Sequence, residues 1–551
     1  MKRARGTLDV YRTKIYLGSC NFNRRKTMLR LLRDVWLFVQ ELFYCFYDRV
    51  IHLLFGLWYR NVSKVALPPV DSPLLFEPAT CLAVNIRVGK VKSADVVKAY
   101  IKRMRQVQPM LNTIVDERFQ AAIAEAEEID RKVRSGTMDS AFLNKPFLGV
   151  PFTSKNSIGV EDCVQDVGSH YLKGNKAKED AKVVELLREA GAIPIATSNV
   201  PEMCMSADCD NRVYGRTNNP YDTSRIPGGS SGGEAALLAS AASVIGVGTD
   251  MGGSIRIPAS FCGIFGHKPT AGLVPQDGIC PELPEDVAKM NTVGPMVRYV
   301  EDLLPMFKAM VGSQVSDKLR LDIPVNMKKV RLHYMPDDGA KFISRVRTDV
   351  TSAVHKVIAY LEDVTGSKSH RVNLPEMQQA FTIWKANASR SPSIAVFLRV
   401  GNGRMRPTKE LLLTALGKSE HNLASIALAY KENRRFFKKK RHLENYERKG
   451  NSFLEKLQSM LRDDGVLIIP ANSAPAPYHH EWLTRFTYFL NFTTLFNVIG
   501  APVTAVPVAT SNDGLPIAVH VVANRNQDRL CLAVANEIAK GFGGWRLPSG
   551  R

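Results

Sequence analysis

Ser254 follows Met251-Gly252-Gly253 inside the stretch GTDMGGSIRIPASF, residues 248–261. A glycine pair is costly in a regular element, because glycine loses the most backbone freedom on folding. It is tolerated where another group must approach the main chain closely. With no Cβ at 252 and 253, the backbone of Met251, Gly252, Gly253 and Ser254 can aim successive N–H groups at one carbonyl oxygen. Donors placed this way stabilise the oxyanion of a tetrahedral intermediate. Ser254 then stands where it can attack the same carbonyl. A serine nucleophile needs a base. GVPFTSKNSIG (149–159) offers Lys155, just after a run that reads as a buried strand. Burial disfavours the ammonium form, and a neutral lysine is a competent general base near pH 7.

A second glycine–serine stretch, IPGGSSGGEAALLA (226–239), supplies a rival. Gly228-Gly229-Ser230-Ser231-Gly232 fits G-x-S-x-G, a nucleophile elbow that must follow a strand and lead into a helix. The helix is present in EAALLASAAS (234–243), but NNPYDTSRIPG (218–228) reads as a Pro-rich loop. An elbow also needs an acid and a histidine downstream. His479, His480 and His520 are available, and no local pattern selects one.

The elements that must position these groups alternate. SADVVKAYIKRMRQVQ (93–108), RFQAAIAEAEEIDRKVR (118–134) and EDAKVVELLREAG (179–191) have helical periodicity. FLGVPFT (147–153) and AIPIATS (192–198) read as buried strands. This alternation predicts an α/β fold. The chain has 551 residues, 45% of them hydrophobic, enough for a large core. Its net charge of +21, from 74 basic and 53 acidic residues, favours an anionic partner. No nucleic-acid-binding motif accompanies the charge, so a membrane surface is expected and nucleic acid is not. The densest basic run, 431–450, reads as a solvated helix face. The nine cysteines are scattered without a CxxC pair, which predicts free thiols in a reducing, intracellular setting and no metal site.

The N-terminal region divides into a basic tail (1–27), an aromatic-rich helix (28–60) and a Pro-containing linker (61–77) before the main domain (78–551). In the helix, Asp34, Glu41 and Asp48 recur every seven residues and so share one stripe. The remaining surface is apolar, but no run of about 20 apolar residues exists to span a bilayer. The expectation is an amphipathic helix lying in the membrane interface, with Trp36, Phe38, Phe43, Phe46 and Trp58 in the lipid.

Taken together, the motifs resemble the amidase signature family. GGSSGGEAALLA and GVGTDMGGSIRIPA carry the likeness unbroken from Gly228 to Ala259. GVPFTSKN (149–156), SNVPEM (198–203), FGHKPT (265–270), GPMVR (294–298) and GLPIAVHVVA (514–523) support it. The resemblance implies a large twisted mixed β-sheet covered by helices on both faces. It also implies a Ser–Ser–Lys triad: Ser254 as nucleophile, Ser230 as a bridging serine behind a cis peptide bond, and Lys155 as base. No cofactor is implied. Asp250 and Arg256 are expected to form an ion pair that fixes the loop, and Ser231 to cap the following helix. Asn156 stands where many relatives carry an acid. His267 replaces an apolar residue and is expected to be packed, without a catalytic part. Family members acting on lipid amides carry a membrane cap where this chain has FTIWKANASRSPSIAVFLRVGNG (381–403) and ELLLTAL (410–416). Phe381, Trp384 and Phe397 are therefore expected at an acyl entrance. The implied activity is that of a membrane-associated serine hydrolase cleaving fatty-acid amides through an acyl-enzyme. An amidase for small polar amides and a non-catalytic lipid-binding protein are the alternatives. Expected partners are a lipid amide and a membrane surface, with homodimerisation left open. The endoplasmic reticulum and lipid droplets are the candidate membranes.

Overall fold

Eleven strands form one mixed sheet in the computed structural model, which describes residues 35–548 except 37, 63, 137–138, 341–343, 390–397, 401–402, 433–439 and 485–489. In chain order they are β1 (Ile114–Glu117), β2 (Pro151–Lys155), β3 (Ile193–Ser198), β4 (Ile245–Asp250), β5 (Phe265–Lys268) and β6 (Thr292–Val297). There follow β7 (Arg331–Tyr334), β8 (His370–Arg371), β9 (Gly465–Pro470), β10 (Val503–Thr510) and β11 (Pro516–Ala523). Their spatial order is β1-β3-β2-β4-β6-β5-β10-β11-β9-β7-β8. β2 runs parallel to both β3 and β4, and the pairings β4–β6, β5–β6, β5–β10 and β10–β11 are antiparallel. Every residue of β2, β3, β4 and β6 is buried. Helices on both faces are the reason, and they explain why these strands read as continuous rather than alternating apolar runs.

The helices that matter for the site are α1 (Ser93–Leu111), α2 (Phe119–Ser135), α3 (Lys182–Glu189), α4 (Gly232–Ala239) and α5 (Arg256–Phe261). Farther along lie α6 (Ala380–Ala388), α7 (Pro407–Ala415) and α8 (Leu423–Glu432), in the excursion between β8 and β9. The sequence-predicted helices correspond to α1–α4, shifted by a few residues at their ends. The strand expected over 147–153 begins at Pro151 and closes on Lys155 itself. Gly149 accounts for the shift. Its φ is +71°, and a Cβ there would meet Ser93 Oγ at 2.6 Å, so the chain turns against α1 before the strand starts.

Residues 38–59 are helical within the expected 28–60 segment, of which 28–34 lie outside the described residues, and no helix among the described residues is long and apolar enough to cross a membrane. The charged stripe faces the protein. Glu41 pairs with Arg345, Asp48 accepts from Ser344, and His52 Nδ1 lies 3.0 Å from Glu481 Oε1. Tyr59 stacks on Tyr478 with centroids 5.2 Å apart, and Arg225 covers the Tyr478 ring at 3.5 Å. The aromatic face points outward: Trp36, Phe38, Phe43, Phe46 and Trp58 are all exposed, Trp58 by 78%. Asp34 lies outside the described residues. The Pro-containing linker packs on the main domain. Leu75 is buried in the main core, and Arg103 Nη1 donates to the Pro68 carbonyl at 2.8 Å. All eight cysteines among the described residues are free thiols.

Candidate active site

The parallel pairing of β2 and β4, with Thr153 opposite Gly246 and Ser154 opposite Val247, brings the C-terminal ends of both strands to one edge. Lys155 is the last residue of β2. Thr249 and Asp250 end β4, and the chain then turns through Met251-Gly252-Gly253-Ser254 into α5. Lys155 is fully buried. Its Nζ donates to Ser230 Oγ at 2.6 Å and to Thr249 Oγ1 at 2.7 Å. Burial pulls its pKa below the ordinary lysine value, against the opposing pull of Cys204, Asp250, Cys209 and Glu234. Ser230 is buried, on the loop leading into α4, and the Gly229–Ser230 peptide bond is cis. Gly229 is required there because a Cβ would collide with the Ser206 carbonyl oxygen.

Ser254 is only partly buried, and its hydroxyl makes no hydrogen bond among the described residues. The two serine loops are laced through the backbone, Ser231 N–H donating to the Ser254 carbonyl at 3.1 Å. The lysine–Ser230 contact is therefore formed, and the Ser230–Ser254 hydrogen bond is not. Catalytic hydrogen bonds of unliganded sites are often loose and tighten around substrate. Ser230 is preceded by a loop rather than a strand, and its hydroxyl partner is a lysine rather than a histidine. The elbow arrangement is not built here. His520 is buried and, among the described residues, its ring meets the Phe492 carbonyl, while His479 pairs with Asp208 at 3.0 Å.

Asp250 and Arg256 form the expected pair, both fully buried, with Nε and Nη2 donating to the two carboxylate oxygens at 2.9 Å each. The guanidinium also donates to Thr493 O and Asn497 Oδ1. That environment holds the Asp250 carboxyl far below its ordinary range, despite its burial. Two expectations change. Gly253 N–H donates to Asp250 Oδ1 at 2.8 Å, so of the four N–H groups only those of Met251, Gly252 and Ser254 lack an acceptor among the described residues. Ser231 does not cap α4 with its side chain. Its hydroxyl reaches the Thr249 carbonyl at 3.4 Å instead, tying the helix entry to the end of β4.

Asn156 uses its amide to close a turn, donating to Val164 O and accepting from Val167 N. His267 is buried between Thr504 and Asp528. From above the site, α6 lays Trp384 on the loop. Its Nε1 donates to the Met251 carbonyl at 2.7 Å, and its ring stacks on Phe381 at 5.8 Å. Phe397 lies outside the described residues. On α7, Leu411 and Leu412 are exposed.

Sequence reasoning missed Thr249, Glu234, Thr493 and Asn497. Glu234 carried a signal, a lone acid in a helix of small apolar residues. It is fully buried, accepts from the hydroxyls of Thr153 and Ser198, and has its pKa pushed up to about 7 by burial. When ionised it favours the charged form of Lys155. Glu234→Gln removes that bias, so less base is needed to free the amine. We expect the acidic limb of the kcat/KM profile to move to lower pH, by about half a unit or more, an order-of-magnitude expectation for a nearby charge. An unmoved limb in pH-resolved steady-state kinetics would show that Glu234 does not act on the lysine.

The Amidase family model matches residues 95–532, and the chain belongs to that family of amide-hydrolysing enzymes. Among characterised proteins it is similar to human fatty-acid amide hydrolase 2, with 41% identity over 490 residues that cover 87% of this chain and 92% of the relative. Fatty-acid amide hydrolase 2-A of Danio rerio shares 39% identity, over 89% of this chain and 92% of the relative. A solved fatty acid amide hydrolase superposes with a TM-score of 0.67 at 21% identity, covering 87% of each chain, and shows the shared fold.

Proposed function

We propose that the protein is a membrane-associated serine hydrolase that cleaves fatty-acid amides with Ser254, Ser230 and Lys155. The observation that carries this reading is the buried Lys155 amine, held 2.6 Å from Ser230 beside the loop of Ser254. In the uncharged state the amine takes the Ser230 proton as Ser230 takes that of Ser254. The freed Ser254 oxygen bonds to the amide carbon. The N–H groups of Met251, Gly252 and Ser254 hold the resulting oxyanion. Collapse breaks the C–N bond, and the proton held by Lys155 returns through Ser230 to the leaving amine. Water then attacks the acyl-enzyme, releasing the fatty acid and restoring Ser254.

Three observations support a lipid substrate. The similar relatives are fatty-acid amide hydrolases. The N-terminal helix turns its aromatic face outward, and α7 exposes Leu411 and Leu412. Phe381 and Trp384 sit over the nucleophile loop, where an acyl chain would enter. Each buried methylene contributes about 0.8 kcal/mol, so a long chain is strongly favoured over a short one. We expect a C18 acyl amide to be hydrolysed with kcat/KM at least about a hundredfold above a C4 analogue, since a few buried methylenes suffice for that ratio. Equal or inverted preference in a direct comparison would replace the lipid reading with that of an amidase for small amides.

A further inference from the structure

Four consecutive peptide planes cross the nucleophile loop, and each has its carbonyl held from outside the loop or by the turn that follows. The Asp250 carbonyl accepts from Asn497 Nδ2 at 2.9 Å. The Met251 carbonyl accepts from Trp384 Nε1 at 2.7 Å. The Gly252 carbonyl accepts from Thr493 Oγ1 at 2.7 Å, and the Gly253 carbonyl from Ile257 N–H at 2.7 Å. The cis bonds among the described residues are Gly229–Ser230 and Cys280–Pro281, so these planes are trans. In a planar trans peptide the C=O and the next N–H point in opposite directions. Fixing a carbonyl on one side therefore fixes the following N–H on the other. Asn497 sets Met251 N–H, Thr493 sets Gly253 N–H against Asp250, and the turn into α5 sets Ser254 N–H.

Among the described residues, Gly252 N–H is set by Trp384 alone. Glycine has no side chain to bias its own torsions. A Cβ at 252 would stand 3.5 Å from the indole ring, an ordinary contact that would not lock the plane. We propose that Trp384 is a positioning residue for the reaction: its indole N–H holds the Met251–Gly252 peptide so that Gly252 N–H stays aimed as an oxyanion donor. This rests on the proposed amide hydrolysis at Ser254. It goes beyond an apolar role at the entrance, because it makes α6 part of the transition-state apparatus for every acyl chain length.

The test is Trp384→Phe, which keeps an aromatic ring against Phe381 and removes the N–H. Removing an oxyanion donor outright costs about 10²–10³ in kcat, so misaiming one should cost about 10- to 50-fold. The expected loss falls on kcat, equally for C18 and C4 amides, with KM changed less than about threefold. Affinity for a trifluoromethyl ketone, whose adduct carries an oxyanion, should fall in parallel, while affinity for the product fatty acid should not. A variant with wild-type kcat, or one whose loss is confined to KM for the C18 substrate, overturns the proposal and leaves Trp384 as an entrance residue. Wild-type protein that neither turns over amides nor reacts with a fluorophosphonate at Ser254 would overturn the hydrolase reading itself, a result distinct from either outcome for the variant.

Discussion

Ser254→Ala is expected to abolish amide hydrolysis, with kcat falling on the order of 10⁴-fold or more, as when a serine hydrolase loses its nucleophile. The side chain is partly exposed, with no hydrogen-bond partner to lose among the described residues, so the fold should not suffer. Fluorophosphonate labelling should vanish with the activity. Ser230→Ala serves as the contrast. Its hydroxyl is buried against Lys155, and in the proposed relay it passes a proton without bonding to the carbonyl carbon. That variant should label slowly but still at Ser254. Labelling that persists in Ser254→Ala and disappears in Ser230→Ala would reverse the two roles.

Lys155→Met should lower kcat/KM at pH 7 by about 10³-fold, within the range for loss of a positioned general base. The pH dependence identifies the cause. Only the neutral amine accepts a proton, so wild-type kcat/KM should rise with pH through the lysine's folded pKa and then level off. Burial places that inflection below the ordinary lysine value. The variant should lack it. Stability moves through the same linkage. Because the folded pKa is depressed, the unfolded chain binds the proton more tightly. Lys155 thus costs stability below its folded pKa, and the cost fades as pH rises towards the unfolded value. Lys155→Met escapes this slope. An inflection retained in the variant would remove the lysine from the mechanism.

The loops proposed to carry the chemistry are the most legible part of the chain. Close backbone approach, a buried amine and two serines demand particular residues at fixed places, and Gly253, Ser230 and Lys155 stand where the motifs put them. Contacts made across long sequence distances were not legible. Ser231 looks like a helix cap in the linear text, but the Thr249 carbonyl, brought alongside by β4, captures its hydroxyl. Gly253 looks like a free donor until Asp250 folds back beneath it. Thr493 and Asn497 come from NFTTLFNV, where nothing local marks them. Trp384 is expected at an acyl entrance through the family resemblance, which says nothing of where its N–H goes. The N-terminal stripe is legible as charged, yet its partners Arg345 and Ser344 lie hundreds of residues away, so the side it would turn to the protein could not be read.

That stripe should make the seating of the helix sensitive to ionic strength. Its ion pair with the rest of the chain is open to water on one side, Arg345 being 65% exposed beside a Glu41 that is 25% exposed, whereas Glu481, the partner of His52, is fully buried. Salt near molar concentration, where the screening length is about 3 Å, weakens such an exposed pair. The same electrolyte, if it is a strongly hydrated salt such as sulfate, drives the aromatic face more firmly out of water. Under the proposed membrane association, the salt that weakens the Glu41–Arg345 pair would at the same time strengthen burial of the aromatic face.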